Sequence, residues 1–405
     1  MGTSQGNKGV EYSPYRWAIL AITGLCFLIT FITRFTWPPL IPEAAPQLGM
    51  EMTQAGAFMS AFYIGYVITQ VPAGALVDKF GVRVILSVSL LLEGVATFFM
   101  GSITGFQPGF VLRLITGIGA GAVMSCCSRA IMDWFPAKER GTAFGLLLAA
   151  PSAGIVLSNY IVPVLNNAFG GWQGVFRTIG IVTIICGFAV FAMIKTTKQV
   201  QGKNNILLGF KTVLTNKNLL LTGLAGFCLM WVELCTATWA NTYIKQELGY
   251  SVATAGIVMV FYGIGGVISP MISGYISDKT GKLKGILMAA YALSIPVTLL
   301  FGYQTSIAAL CAVGFLFGFI CYIANPLLNV MVNEFAGKEL AGTATGTTNF
   351  MYQMASIIGP AVIGFSIDFS GNFSSVWWIM AIGPLVGLLL LIPVKRNVAE
   401  ETEKV

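Results

Sequence analysis

The chain has 405 residues, of which 56% are hydrophobic and only 10% are charged, and its mean hydropathy is +0.80. A soluble domain carries about 25% charged residues, so this composition excludes a water-soluble globule of this size. The formal net charge of +7 would suit a nucleic-acid partner, but the positions of the basic residues account for it in another way.

Cysteine and histidine usage argues against a metal site or a cofactor. All eight cysteines lie inside apolar stretches without the spacing of metal ligands, and the sequence has no histidine, the commonest metal ligand. Such cysteines pack as small apolar groups. The sequence also has no recognisable nucleophile–base pair or phosphate-binding loop. We therefore expect no metal, no cofactor and no enzymatic activity.

Apolar runs long enough to cross a bilayer, about 20 residues each, occur twelve times. They predict spans one to twelve at residues 16–38, 54–76, 83–103, 108–132, 141–165, 172–194, 219–243, 252–275, 284–302, 306–330, 341–365 and 375–394. The predicted fold is an all-α membrane protein with twelve transmembrane helices. An even number of spans places both termini on the same side.

The basic residues predict which side that is. If the termini are cytoplasmic, the cytoplasmic loops and tails contain 18 of the 23 Lys and Arg residues, and the external loops contain only Lys245. This bias follows the positive-inside rule and explains the net charge without a nucleic acid. We expect a multi-pass protein of the inner (cytoplasmic) membrane with cytoplasmic termini.

The sequence repeats itself at an offset of about half its length. GALVDKFGVR at 74–83 corresponds to GYISDKTGKLK at 274–284, and FPAKE at 135–139 corresponds to FAGKE at 335–339. Repeats of this size are typical of transporters built from two related halves. They predict two pseudo-symmetric six-helix bundles, 1–194 and 219–405, joined by a basic cytoplasmic linker at 195–218.

These motifs resemble those of the major facilitator superfamily over essentially the whole chain. The Asp-Lys-x-Gly loop after span two and RLITGIGAGA at 113–122 are similar to two of its signatures. DWFPAKERG at 133–141 and NFMYQMASIIGPAVIG at 349–364 resemble the branch that moves organic anions with cations. The resemblance implies a monomer with a substrate site between the halves that opens to alternate sides of the membrane.

Ionisable residues inside the spans cost about 2.5–3.5 kcal/mol each on insertion scales, so they point to function. Arg34 and Arg113 coincide with arginines that the resembled branch uses to hold substrate carboxylates, and a guanidinium can form two parallel hydrogen bonds to a carboxylate. An ion pair with a glutamate, or packing of Arg113 beside the span-four glycines, is the alternative. The other candidate substrate ligands are Tyr63, Tyr66, Ser152, Tyr322, Asn349 and Gln353, and further polar groups such as Asn159, Asn241 and Asn325 could complete the pocket.

The candidate for ion coupling is Glu233 on span seven. Proton-coupled members of the branch carry acids where this chain has Thr33 and Ala120, which places proton symport by that mechanism in doubt. Glu233 could carry a proton, bind a sodium ion or pair statically with an arginine. Glu93 lies on span three, which is peripheral in this fold, and we expect it to make a structural hydrogen bond or ion pair.

The repeated loops supply a predicted gate. Asp78 could accept hydrogen bonds from the free N–H groups of a neighbouring helix N-terminus, and such a cluster would hold the cytoplasmic ends together until it breaks. A merely structural turn is the alternative. The predicted gating residues are Asp78, Lys79, Arg83, Arg129, Asp278 and Lys279.

Prolines are expected to interrupt several spans and to let them bend. Pro38 and Pro39 fall in span one, Pro151 in span five and Pro326 in span ten. Pro270 and Pro360, in spans eight and eleven, are expected to act in the same way. Static kinks are an equal alternative.

The resulting hypothesis is a secondary active or facilitative transporter of a small organic anion, such as a carboxylate or sugar acid. A drug exporter is the first alternative, although AAPSAG at 149–154 only partly resembles the antiporter motif of span five. A membrane sensor on a transporter fold is a third possibility, because a fold does not fix a function.

Overall fold

A computed structural model describes residues 14–194 and 206–395, and its described part is helical without strands. Eleven of its helices are long and apolar enough to cross a membrane: Arg16–Gln47, Met52–Phe80, Val82–Met100, Phe106–Trp134, Lys138–Phe169, Trp172–Met193, Lys217–Glu247, Val252–Ser277, Leu283–Gly302, Ile307–Gly337 and Leu340–Ser370. The twelfth, Val376–Leu391, is a shorter apolar helix. The predicted all-α fold with twelve spans is confirmed.

Three of the five predicted proline breaks are present. Span one divides at Thr36, span five at Ala149 and span ten at Ile323. Each break lies within three residues of the prolines that predicted it. A proline removes one backbone donor and crowds the preceding turn, and a neighbouring span can satisfy the carbonyl that is left free.

The prediction was wrong for spans eight and eleven, where the helix continues through Pro270 and Pro360. A break that the prolines do not predict occurs in span four, between the helices Phe106–Ala120 and Val123–Trp134. It falls at the end of the glycine-rich motif, where the backbone has the least steric restraint.

The segment between the halves is more ordered than a simple tether. Residues 195–205 lie outside the described part, but a connecting helix runs from Ile206 to Thr215 and span seven begins at Lys217. Val213 of the connecting helix is buried with Leu219, Val332 and Ala344. The second part of the linker therefore packs against the C-terminal half.

The two halves pack in the same way, as the repeat predicts. In the N-terminal half, span one packs against five, two against four and three against six. In the C-terminal half, seven packs against eleven, eight against ten and nine against twelve. The membrane-embedded core is therefore two equivalent bundles.

The halves meet at one end of the molecule. We call the end where span one begins the terminal face, and the other end the opposite face. Near the opposite face, spans two and eleven approach so closely that a Cβ added to Gly56 would overlap the carbonyl of Pro360. Asn241 of span seven also donates a hydrogen bond of 2.9 Å to the side-chain oxygen of Asn159 on span five.

Asp368 makes a charged contact between the halves. Its carboxylate accepts hydrogen bonds from the backbone N–H groups of Met52 (2.9 Å) and Thr53 (2.7 Å), the first two residues of span two. These donors have no partner within their own helix, and a negative charge at a helix N-terminus is favourable by about 0.3–1 kcal/mol. Asp368 therefore links span eleven to the start of span two across the opposite face.

Asp368→Asn is expected to loosen the opposite face, because it removes the charge that faces the N-terminus of span two. Loss of about 0.3–1 kcal/mol would change the ratio of open to closed molecules about two- to fivefold. Spin labels on Thr104→Cys and Thr305→Cys, exposed on loops of the two halves, should show more long distances. The matched control is Glu247→Gln, an exposed acid at the same face. An unchanged distance distribution in Asp368→Asn would contradict the assignment.

Candidate functional site

Arg34 is a buried charge that forms no ion pair with any described residue. Arg34 is 5% exposed, and none of the ion pairs within residues 14–194 and 206–395 involves it. The guanidinium carbon instead lies 4.3 Å from the ring centre of Phe31, 4.7 Å from Tyr66 and 5.1 Å from Phe62. The Nε–H group is buried and has no hydrogen-bond partner among the residues that the structure describes. Aromatic faces attract the cation but leave its hydrogen-bonding edge available.

Arg113 donates hydrogen bonds mainly to backbone carbonyl groups. It is 1% exposed, and it donates hydrogen bonds to the carbonyl oxygens of Arg34 (3.2 Å) and Phe58 (3.3 Å). The carbonyl of Arg34 is available because the residue four positions later is Pro38, which has no N–H group to donate. Arg113 thus replaces a missing helical hydrogen bond and joins spans one, two and four. This arrangement resembles the packing alternative of the sequence analysis.

The other predicted ligands are distributed over both halves. Tyr63 and Tyr66 lie beside Arg34, and Tyr322 of the C-terminal half packs edge-to-face with Tyr262. Asn349 is half-buried on span eleven, and Gln353 accepts a hydrogen bond of 3.1 Å from Ser356. Among the described residues, neither forms a hydrogen bond with Arg34. The side chain of Ser152 lies outside the described residues.

Glu233 is buried in the C-terminal half with an amide partner. Its Oε1 accepts a hydrogen bond of 3.0 Å from Nδ2 of Asn325, on span ten. No ion pair between described residues includes Glu233, so the static pair with an arginine is absent from the described part of the chain. Asn325 immediately precedes Pro326, so the break in span ten lies next to this carboxyl group.

Glu93 makes the structural hydrogen bond expected of it. The residue is 0% exposed, and its Oε2 accepts a hydrogen bond of 3.0 Å from the hydroxyl of Thr30 on span one. Its Oε1 is buried without a partner in the part of the chain that the structure describes. Sequence reasoning placed Glu93 on a peripheral helix and did not predict that it would reach span one.

The predicted gating cluster is arranged within its own half. Asp78 accepts a hydrogen bond of 3.2 Å from Arg129, which also pairs with Asp133 at 2.9 Å. Asp78 therefore faces a guanidinium rather than a neighbouring helix N-terminus, so that part of the prediction was wrong. The carboxylate that caps a neighbouring helix is Asp368, at the opposite face, which the sequence analysis missed although the residue closes span eleven before a glycine turn.

The remaining gating candidates lie close to ring faces. Arg83 donates a hydrogen bond of 2.7 Å to the carbonyl of Phe191 and so joins span three to span six. The ammonium groups of Lys79 and Lys279 lie 5.1 Å and 5.9 Å from the ring centres of Phe80 and Tyr275. The side chain of Asp278 lies outside the described residues.

Comparison with known proteins identifies the family. The family model described as Major Facilitator Superfamily matches residues 23–360 and 222–405. A probable galactarate/D-glucarate transporter of Bacillus subtilis (strain 168) is 26% identical, and the match covers 96% of this chain and 94% of that protein. A hexuronate transporter of the same organism is 25% identical over 90% of this chain and 91% of its own length.

A solved structure shows the same fold. The crystal structure of a bacterial homologue of the human lysosomal transporter Spinster superposes with a TM-score of 0.78, covers 95% of each chain and shares 14% sequence identity. The family model and this superposition agree with the twelve helices, the paired bundles and the repeated loop signatures described above. The chain belongs to the Major Facilitator Superfamily.

Proposed function

We propose that the protein transports small organic anions, carboxylates or sugar acids, across the cytoplasmic membrane by alternating access. The observation that carries the proposal is Arg34, a buried guanidinium with no acidic partner among the described residues. The relatives named for galactarate/D-glucarate and for hexuronate support the same class of substrate.

The environment of Arg34 favours an anion as the missing partner. A buried charge without a partner is unfavourable, whereas a carboxylate on a guanidinium gains two short charge-assisted hydrogen bonds. The buried Nε–H of Arg34 is a donor that such a ligand can use. A cationic drug would instead meet the positive charges of both Arg34 and Arg113, so the exporter alternative has less support.

Tyr63 and Tyr66 would complete the anion end of the site, and Tyr322, Asn349 and Gln353 would supply polar contacts from the other half. The hydroxyl-rich body of a sugar acid suits this combination of rings and amides, because rings offer apolar faces and amides offer both donors and acceptors. Ser152 belongs to the proposed site through its position on span five. In this arrangement Arg113 does not touch the anion. It contributes to binding by holding the backbone of Arg34 in place.

Access to the site would alternate between the two faces. We take the terminal face as cytoplasmic, because the basic residues follow the positive-inside rule. The halves contact each other at the opposite face through Asp368 and Gly56, so this conformation would load or release substrate at the cytoplasmic side. The proposed inner gate comprises Asp78, Lys79, Arg83, Arg129, Asp278 and Lys279.

Energy coupling is proposed to involve Glu233 in the C-terminal half. Glu233 is a buried carboxyl group bonded to an amide, which leaves it able to take up a proton or a sodium ion. The break in span ten beside Asn325 would allow this pair to rearrange as the halves move. The transporter would work as a monomer, since each chain contains both halves.

Arg34→Gln is expected to weaken binding of D-glucarate and D-glucuronate by about 10- to 150-fold, the equivalent of the 1.5–3 kcal/mol of a hydrogen bond to a charged group. Arg34→Lys should be intermediate, because it keeps the charge and loses the paired geometry. Isothermal titration of the purified protein measures both. Arg177→Gln, which alters a hydrogen bond to Ser102 at the opposite face, is the control and should bind normally.

If Arg34→Gln binds D-glucarate and D-glucuronate as tightly as the wild type, the assignment of Arg34 to the anion site is wrong. A thermal-shift screen with neutral sugars and cationic drugs completes the test. Stabilisation only by cationic compounds would favour the exporter alternative instead.

Arg113→Gln is expected to lower thermal stability and anion affinity, because it leaves the buried carbonyl of Arg34 unsatisfied, at about 1–3 kcal/mol. Adding Pro38→Ala should restore part of the loss, since the new N–H at position 38 can bond to that carbonyl. Unfolding midpoints of the two single variants and the double variant provide the measurement. If the two effects simply add, the proline and the arginine are not coupled through this oxygen.

A further inference from the structure

Glu93 lies against the same face of span one as Arg34. Its Oε2 is bonded to the hydroxyl of Thr30 at 3.0 Å, and Thr30 precedes Arg34 by four residues, which places both on one side of the helix. The other oxygen, Oε1, is buried without a hydrogen-bond partner in the described part of the chain. A carboxyl group on a peripheral span thus reaches the edge of the proposed anion site.

Close packing of spans three and four brings Glu93 inward. A Cβ added to Gly119 of span four would lie 2.7 Å from the backbone nitrogen of Glu93, so only glycine permits this approach. The charged and titratable groups that interact with the carboxyl group are Arg34 and Cys26 on span one, Arg113 on span four and Cys186 on span six.

The local charges are unbalanced. Among the described residues of the N-terminal half, Arg34, Arg113 and Glu93 are the buried charged side chains, and none of the three is in an ion pair. An ionised carboxylate buried with one oxygen unsatisfied is unfavourable unless a nearby positive charge compensates it. When that positive charge is taken up by another anion, the compensation is lost.

We propose that Glu93 is a proton-binding site whose occupancy is linked to that of the anion site at Arg34. The inference rests on the proposed anion transport. With the anion site empty, the two arginines stabilise the ionised Glu93 carboxylate. When a substrate carboxylate binds Arg34, it adds negative charge beside Glu93, and Oε1 takes one proton from solvent to become a neutral hydroxyl.

The coupling is reciprocal. If the bound anion raises the proton affinity of Glu93, protonation of Glu93 must raise the affinity for the anion by the same factor. Oε2 keeps its hydrogen bond from Thr30 in both states, so the carboxyl group need not move to gain or lose the proton. Proton and anion would therefore enter and leave the site together, and a proton gradient could drive accumulation of the anion.

Proton uptake on anion binding tests the proposal. D-Glucarate and D-glucuronate are titrated into the purified protein in two buffers with different ionisation enthalpies, over a range of pH. For the wild type we expect uptake of up to one proton per anion, and an affinity that falls as pH rises by at most about tenfold per pH unit. Glu93→Gln mimics the protonated carboxyl group, so it should bind the anion with no proton uptake and no dependence on pH.

Two matched variants distinguish Glu93 from other groups that could take up the proton. Glu233→Gln removes the other buried carboxyl group, which is the coupling candidate of the C-terminal half. Proton uptake that remains in this variant belongs to Glu93, and we expect it to remain whether or not Glu233 binds an ion of its own. Thr30→Val removes the hydrogen bond to Glu93 but keeps the carboxyl group, so it should also keep the uptake. If Glu93→Gln retains both proton uptake and the pH dependence, or if Glu233→Gln abolishes them, the assignment to Glu93 is overturned.

The binding titration of the wild-type protein tests the proposed anion transport before it tests the role of Glu93. If neither anion binds the wild-type protein, the proposed transport function fails before any Glu93 variant is compared. If Glu93→Gln does not fold, infrared difference spectra of Glu233→Gln with and without the anion decide the question. A new carbonyl band of a protonated carboxyl group on anion binding supports the proposal, and its absence overturns it.

Discussion

The arrangement of the N-terminal half centres on a buried charge, the guanidinium of Arg34 inside the membrane, which forms no ion pair with a described residue. Aromatic rings surround it, and no acid among the described residues forms an ion pair with it. A charge inside the membrane is unfavourable by itself. The surrounding aromatic rings attract the guanidinium, and a bound anion would pair with it. The tyrosines, the backbone contacts of Arg113 and the nearby carboxyl group of Glu93 are all understood through their relation to this group.

The partnership of Pro38 and Arg113 shows how a broken helix can be used to build a site. Proline removes the donor for the carbonyl of Arg34, and the guanidinium of Arg113 supplies the donor from another span. The hydrogen bond fixes the backbone at the residue whose side chain faces the proposed substrate. Arg113 is therefore important for the geometry of the site even though its hydrogen bonds go to two carbonyl oxygens and the sulfur of Met59.

The two faces of the molecule use carboxylates differently. At the terminal face, Asp78 pairs with Arg129 within one half. At the opposite face, Asp368 joins the halves by binding the first two N–H groups of span two. A helix N-terminus binds a carboxylate less strongly than a guanidinium does, because the helix dipole contributes only about 0.3–1 kcal/mol. A link of that strength can hold a closed face and still be released when the halves move.

Composition, apolar run lengths and the internal repeat determined the class of protein, the number of spans and their division into two bundles, because bilayer thickness and hydrophobicity act on each segment locally. The sequence also identified Arg34 and Glu233 as intramembrane charges that require a physical reason. It did not reveal that Arg113 binds the carbonyl freed by Pro38, that Glu93 reaches Thr30, or that Asp368 rather than Asp78 caps a helix. Those contacts join residues far apart in the chain, so only the packing of the spans decided them.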